Sequence, residues 1–410
     1  ADDGTVEFAG NTFQTIAANT FNNNEVEYLV INNSNGVGLA GKLDVYGSVT
    51  YGSAGTVFNT NDLLTLKSNN SNTAWLGNMT GKTITGNVTV ERYIPNHPKA
   101  WQFLAVPVSG NQTINEAWQD TASFANQNRY PGYGTMITGN VPGATSVGFD
   151  AYTPAGASIK VYDAANDNYI SVPDTKNTLI SNPKGYMVFV RGDRSVTAAN
   201  QAATATTLRA KGKLYTPADA PPVTLVPAGK FQSVGNPYAS AIDFSQVSKS
   251  GGVQTDFFYL WDPLLTSSGN SVFGLGGFQT FSWNGSDYDV TPGGGSYSGS
   301  NRFIESGQAF FVRAPFSSGS VSFAENCKTD GSNMVYRNGN VRNNNIKQLR
   351  TNLYIRSNSG RVLVDGNLVQ YDPAYSNSVD EFDALKLNNT SENFAIISAA
   401  AFKKRKMVFA

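Results

Sequence analysis

The sequence predicts an all-β protein: a short β-solenoid-like N-terminal region followed by tandem β-sandwich modules of jelly-roll-like form. Three observations carry that prediction. Short apolar stretches recur with a period of two, the spacing of half-buried strands. The 40 glycines and 17 prolines among 410 residues are scattered rather than clustered, as many short strands joined by tight turns require. Helical periodicity is nearly absent; 113–118 and 241–244 suffice for one turn each.

Residues 1–80 read as solenoid rungs. Strand candidates are Val6-Glu7-Phe8, Tyr28-Leu29-Val30-Ile31, Lys42-Leu43-Asp44-Val45-Tyr46 and Leu63-Leu64-Thr65-Leu66. Asn-, Ser- and Gly-rich loops at 32–36, 52–55 and 68–72 separate them and supply turns and left-handed backbone at little cost. The spacing is irregular. Stacking is still expected, because it lets each short strand pair on both sides.

An internal echo divides the middle of the chain. Trp101-Gln102-Phe103-Leu104-Ala105-Val106-Pro107 resembles Phe231-Gln232-Ser233-Val234-Gly235-Asn236-Pro237. Downstream of each lies a matched strand end, Val161-Tyr162-Asp163 and Leu260-Trp261-Asp262. Farther on, Gly185-Tyr186-Met187-Val188-Phe189-Val190-Arg191 corresponds to Gly307-Gln308-Ala309-Phe310-Phe311-Val312-Arg313. The echo implies two related sandwich modules, 81–207 and 208–330, with insertions at 115–150 and 264–303 expected to be surface loops.

Residues 331–410 form the last segment, expected to be a partial C-terminal β-sandwich with a tail. Its strand candidates are 353–356, 361–364, 367–371, 383–387 and 393–397, with a hairpin turn at 357–360. The basic run 403–406 reads as a solvated tail.

Charge narrows the partners. Thirty basic and thirty acidic residues cancel, leaving no electrostatic footprint for nucleic acid. No apolar run is long enough for a transmembrane helix. Charged residues make up 15%, against about 25% in an average protein, so the polar surface comes from Asn, Ser, Thr and Gly. That surface points outward, to an extracellular or cell-surface location. The single Cys327 leaves no intrachain disulfide. Ala1-Asp2-Asp3-Gly4 reads as a mature N-terminus after cleavage, or as the edge of a fragment.

The run Val90-Glu91-Arg92-Tyr93-Ile94 followed by Trp101-Gln102-Phe103-Leu104 has a familiar pattern, as does Gly235-Asn236-Pro237-Tyr238-Ala239-Ser240-Ala241-Ile242-Asp243-Phe244. With Asp380-Glu381-Phe382-Asp383-Ala384-Leu385-Lys386-Leu387, the chain resembles the large adhesin-like surface proteins of Bacteroidota exported by the type IX secretion system. The resemblance covers about 80–397 and implies surface location and tandem β-architecture more firmly than any activity. Such proteins usually complete the last sandwich and end in a sorting domain; neither is visible after Ile397, so the resemblance does not extend to anchoring.

Few residues invite chemistry. One histidine, His97, and one cysteine give neither a Ser-His-Asp triad nor a tetrahedral zinc site any context. No catalytic residue and no cofactor is expected. Paired carboxylates for glycoside hydrolysis have candidates in Asp150, Asp163, Asp262, Asp287 and Asp289, but nothing in the sequence pairs them. Asp163, Asn166 and Asp167 offer clustered oxygens for calcium, with a hairpin turn as the favoured reading. Arg191-Gly192-Asp193 reads as the polar turn after a strand. Tyr130, Tyr133, Trp283 and Tyr297, in the two insertions, are the candidates for stacking on sugar rings. The expected function is a structural or adhesive surface protein that self-associates, by strand exchange into filaments, or meets an extracellular glycan or protein. The alternative is a carbohydrate-binding module.

Overall fold

The computed structural model describes residues 4–122, 127–140, 144–152, 156–217, 219, 222–265, 273–297, 301–332, 347–357, 360–371, 379–380, 383–389 and 393–395. Ten short strands open the chain. β1 (Thr5–Gly10), β2 (Gln14–Ile16), β3 (Glu25–Asn33), β4 (Val37–Leu39) and β5 (Leu43–Tyr51) come first. β6 (Val57–Asn59), β7 (Leu64–Leu66), β8 (Trp75–Leu76), β9 (Thr83–Thr85) and β10 (Val88–Ile94) follow. β1, β3, β5, β7 and β10 stack in parallel as one sheet, with β8 pairing onto β5. β2, β4, β6 and β9 stack in parallel as a second.

This is the expected solenoid. Thr5 lies beside Tyr28, Leu43 beside Leu64 and Leu64 beside Val88, offsets of 23, 21 and 24 residues. Unequal rungs explain why no fixed period shows in the sequence. Leu29, Ile31, Val45, Val49, Leu66 and Phe58 are wholly buried in the core of the stack. Asn-Gly at 35–36 turns one corner: Gly36 has φ +88° and a Cβ there would come within 3.1 Å of the Val57 carbonyl. The parallel pairing runs through Val90, past residue 80.

The next elements are β11 (Ala100–Leu104), β12 (Val108–Ser109), α1 (Ile114–Trp118), β13 (Ile159–Asp163), β14 (Asn168–Ser171), β15 (Tyr186–Val190) and β16 (Thr206–Leu214). β16 runs antiparallel along all of β10, so β10 belongs both to the solenoid stack and to an antiparallel pair. α1 starts with a capping box: the Thr113 hydroxyl accepts from the Glu116 N–H, and the Glu116 carboxylate accepts from the Thr113 N–H. Its Trp118 packs edge-on against Tyr186, 5.5 Å between ring centres.

β17 (Val223–Val226), β18 (Lys230–Gly235), β19 (Ile242–Asp243), β20 (Ser248–Gly251) and β21 (Phe257–Asp262) lead the second half. β22 (Gly277–Trp283), β23 (Tyr288–Thr291), β24 (Phe303–Ile304), β25 (Ala309–Ala314) and β26 (Gly319–Ser322) complete it. The sequence echo is also an echo of topology. The sheet order β11-β15-β13-β14 is repeated as β18-β25-β21-β22, with β23 added at the edge.

These two sheets pack face to face. Phe103 stacks on Phe311 at 4.9 Å and 17°, and the Trp261 indole N–H donates to the Trp101 carbonyl at 2.7 Å. The opposite face of the second sheet carries Val234, Phe258, Leu260, Phe281, Phe310 and Val312 into a separate core. β21 is therefore buried at every position, apolar on both faces. Phe311 touches rings of Phe103, Tyr162 and Phe278 within 5.5 Å, so its truncation to Ala would cost about 3–5 kcal/mol.

The insertions are not the surface loops that the sequence suggests. The first supplies α1 and the fully buried Met136 and Ile137; the second supplies β22 and β23. The reason is that β22 lies against β21 inside the sheet, where its residues cover apolar neighbours on both faces.

The Gly-Asn-Pro-Tyr-Ala-Ser motif has a structural role. Asn236 is fully buried, and its amide donates to the carbonyls of Ser240, Ile304 and Glu305 at 2.9–3.0 Å. Its side-chain oxygen accepts from the Tyr238 N–H at 2.9 Å. One side chain thus clips the turn after β18 to the chain entering β25.

A long hairpin ends the run of named strands: β27 (Lys347–Ser357) and β28 (Gly360–Tyr371), with a register shift at Leu353/Tyr354. β28 is one strand where the sequence suggests two, and it buries Val364, Asp365, Asn367 and Leu368. β27 faces outward, with Leu349, Tyr354 and Ile355 exposed. Residues 383–387, expected as a strand, form none, although Ala384 is buried and the Lys386 ammonium pairs with the buried Asp365 carboxylate. Residues 396–397 and the basic run 403–406 lie outside the described residues.

Candidate functional site

The aromatic candidates fall in three separate places. Tyr130 and Tyr133 lie together beside β16, joined by Arg209, whose guanidinium sits 4.3 Å from the Tyr133 ring centre and 5.2 Å from that of Tyr130. Asp120 holds Arg209 through two hydrogen bonds of 2.7 and 2.9 Å. Arg129 lies over Tyr130 at 5.1 Å, and Lys67 donates to the Tyr133 hydroxyl at 3.3 Å. These rings are already engaged with cations, an arrangement worth about 0.5–2 kcal/mol per contact.

Tyr297 is not exposed, contrary to its expected place in a loop. It is buried in the second core, edge-on to Phe281 at 5.4 Å, and its hydroxyl accepts from the Gln308 amide at 2.6 Å. A ring amid Gly and Ser looks solvent-facing in sequence; here it closes the end of a sheet.

Trp283 ends β22, half-buried and edge-on to Tyr288 at 5.0 Å. Its backbone N–H donates at 2.8 Å to the carbonyl of Asp256, a residue that lines a groove. The groove has a volume of about 290 Å³ and lies between the loop 251–256 and the loop 315–317. Phe316 stands at its mouth, 65% exposed. Asp256 and Thr255 line it, the Thr255 hydroxyl donating to the carboxylate at 2.9 Å. Gly252 lets the two loops close up: a Cβ there would meet the Ser317 carbonyl at 2.1 Å.

The groove opens at one end of the small sheet β17-β26-β20. On the outer face of that sheet lie exposed Val223 and Leu225, with Ser320 and Ser322 beside them and Ser248 and Ser250 beyond. Sequence reasoning missed Phe316. Its signal was available: an aromatic set among turn formers in Ala314-Pro315-Phe316-Ser317-Ser318-Gly319, with no strand of its own to fill.

The oxygens of Asp163, Asn166 and Asp167 meet in the β13–β14 hairpin turn. The Asp163 carboxylate accepts from the Ala165 N–H at 3.0 Å and the Asn166 amide at 2.7 Å, while Asp167 accepts from the Tyr162 hydroxyl. These bonds close the turn. Among the described residues no group of three or more His, Cys, Asp or Glu gathers as a metal site.

The remaining carboxylates are engaged one at a time. Asp150 pairs with the buried Arg194 at 2.6 Å, Asp289 accepts from Asn284 at 2.7 Å, and Asp287 lies 3.5 Å from Arg302. Asp262 is fully buried and accepts from the Ser296 N–H and hydroxyl and the Leu264 N–H; burial pushes its carboxyl up to about 6. His97 is buried against the Pro98 carbonyl, and burial lowers its pKa so that it stays neutral at pH 7. Arg191 and Asp193 are both buried, the first on the Met136 carbonyl and the second on the Gly132 N–H, as parts of a turn around Gly192.

A family model described as a domain of unknown function (DUF8693) matches residues 71–408. No curated protein and no solved structure matches the chain.

Proposed function

Because this chain belongs to the family described as a domain of unknown function (DUF8693), whose name assigns no activity, we propose its function from its own architecture: an extracellular or cell-surface structural and adhesive protein. The observation that carries the reading is β10. It is laddered to the solenoid on one side and to the antiparallel β16 on the other. A continuous sheet in place of a flexible linker makes a stiff arm, suited to holding a binding surface away from a cell. The low charge and the resemblance to type IX-exported Bacteroidota adhesins support the outside location.

Immunolabelling of intact cells that produce the chain, before and after permeabilisation, tests this. Labelling of intact cells is expected, with a cytoplasmic marker unlabelled; labelling only after permeabilisation refutes it.

Self-assembly is the finer part of the proposal. Among the described residues, β1 and β27 each pair along one side only. Open edges invite another strand. β1 carries Glu7, and β27 carries Arg356 beside the outward Leu349, Tyr354 and Ile355. Opposite charge favours β1 of one copy lying along β27 of the next, head to tail. Negative-stain electron microscopy with light scattering should show regular fibres in concentrated protein; monomers at every concentration refute assembly.

A further inference from the structure

We infer that the groove between loops 251–256 and 315–317, with the outer face of β17-β26-β20 leading to it, binds a neutral glycan. The inference rests on the surface reading only for where that glycan comes from; the chemistry stands on the groove itself.

Sugar rings present two kinds of surface, an apolar face of C–H groups and a rim of hydroxyls. A site for them therefore needs an exposed aromatic or aliphatic platform beside hydrogen-bonding groups that water does not already saturate. Phe316 supplies the platform, 65% exposed at the mouth of the groove. Asp256 is half-buried in the wall, and its carboxylate accepts from paired hydroxyls more strongly than a neutral oxygen would. Thr255 and Ser317 add hydroxyls that both donate and accept.

The volume of about 290 Å³ lies at the small end of ligand sites, room for a sugar unit rather than a large cofactor. The neighbouring sheet face continues the same chemistry outward: Leu225 beside Ser320, Val223 beside Ser322, and Ser250 hydrogen-bonded to Ser320 at 2.8 Å. An apolar row on β17 beside rows of hydroxyls on β26 and β20 suits a glycan chain whose end enters the groove.

Charge selects against acidic sugars. The lining includes the Asp256 carboxylate and no cationic side chain. The nearest lysine on β20, Lys249, turns the other way, donating to the Phe244 carbonyl at 2.6 Å and lying 4.0 Å from the Phe244 ring centre.

Affinity gel electrophoresis of the purified chain tests the assignment, with soluble β-glucan, galactomannan and dextran as neutral polysaccharides and alginate as the anionic one. Retardation by at least one neutral polysaccharide is expected. Phe316→Ala should weaken it about tenfold or more, the scale on which truncating a binding-site aromatic acts. Asp256→Asn should weaken it as well, and Tyr130→Ala, at the separate cationic cluster, should leave it unchanged. Circular dichroism establishes that each variant is folded. The inference is overturned by no retardation on any neutral polysaccharide, by retardation on alginate alone, or by binding that survives Phe316→Ala. None of these results bears on immunolabelling of intact cells, so the two proposals fail separately.

Discussion

Asn236→Ala should be among the most damaging single substitutions available outside the aromatic core. The side chain is fully buried and meets four backbone groups, three carbonyls and one N–H. Its amide has two hydrogens for the three carbonyls, so three full hydrogen bonds are at stake. The Glu305 carbonyl keeps the Gln308 N–H as a partner, but the Ser240 carbonyl and the Tyr238 N–H lose the side chain that meets them, at about 1–3 kcal/mol each, so the expected loss is about 2–6 kcal/mol. That is a large share of the roughly 5–15 kcal/mol that holds a typical domain folded. Asn236→Asp is the sharper variant. It keeps the acceptor for Tyr238 but turns a carboxylate toward three carbonyls, so at pH 7 it should cost at least as much as the alanine. Urea titration followed by tryptophan fluorescence reads the change, since Trp261 reports the packed seam on Trp101. A loss below about 1 kcal/mol for Asn236→Ala would refute the argument, because it would mean that the clip contributes no more than a solvated bond.

Buried groups elsewhere give three more tests. The Asp262 carboxyl is pushed up to about 6, above its unfolded value, so its contribution to stability is complete below pH ~4 and is lost as pH rises through about 6. The loss approaches about 3 kcal/mol by pH 7, and Asp262→Asn should flatten the change in urea midpoint between pH 5 and pH 7; an unchanged slope would contradict it. Burial raises the Cys327 thiol to about 12, so a disulfide reagent at pH 8 should leave the native chain unlabelled and take up one equivalent after denaturation. Val90 faces Leu66 across one ladder and Ala210 across the other. Val90→Pro should cost about 3 kcal/mol or more and release amide protection on both sides of β10 together; exposure of only one side would show that the shared strand does not couple them.

The solenoid strands were legible because each buries one face, and that produces alternation. Leu43, Val45 and Leu64, Leu66 are visible without knowing their neighbours. The echo was legible because matched strands occupy matched places in two sheets. β22 was not legible as a central strand. Its outer face is covered from far away in the sequence, by Phe103 on Phe278, so no alternation survives to mark it. Tyr297 misled for a related reason, its partner Gln308 lying beyond a stretch rich in Gly and Ser. None of the aromatic candidates lines the groove, and Phe316, which does, escaped notice because a single ring in a turn carries no periodic signal.

A parallel stack can lengthen by repetition until a strand of opposite direction meets its last rung, and here β16 is that strand. Growth of the stack is thereby confined to the side of β10 that faces the N-terminus. Duplication of a rung there would lengthen the arm by about 4.8 Å, the spacing between neighbouring strands. Placed N-terminal to Leu76, whose neighbours Gly77 and Met79 are bonded to Lys328 and Glu325, the added rung would leave those contacts in place. The length of the stack and the sheets that follow it are thus specified by different stretches of sequence.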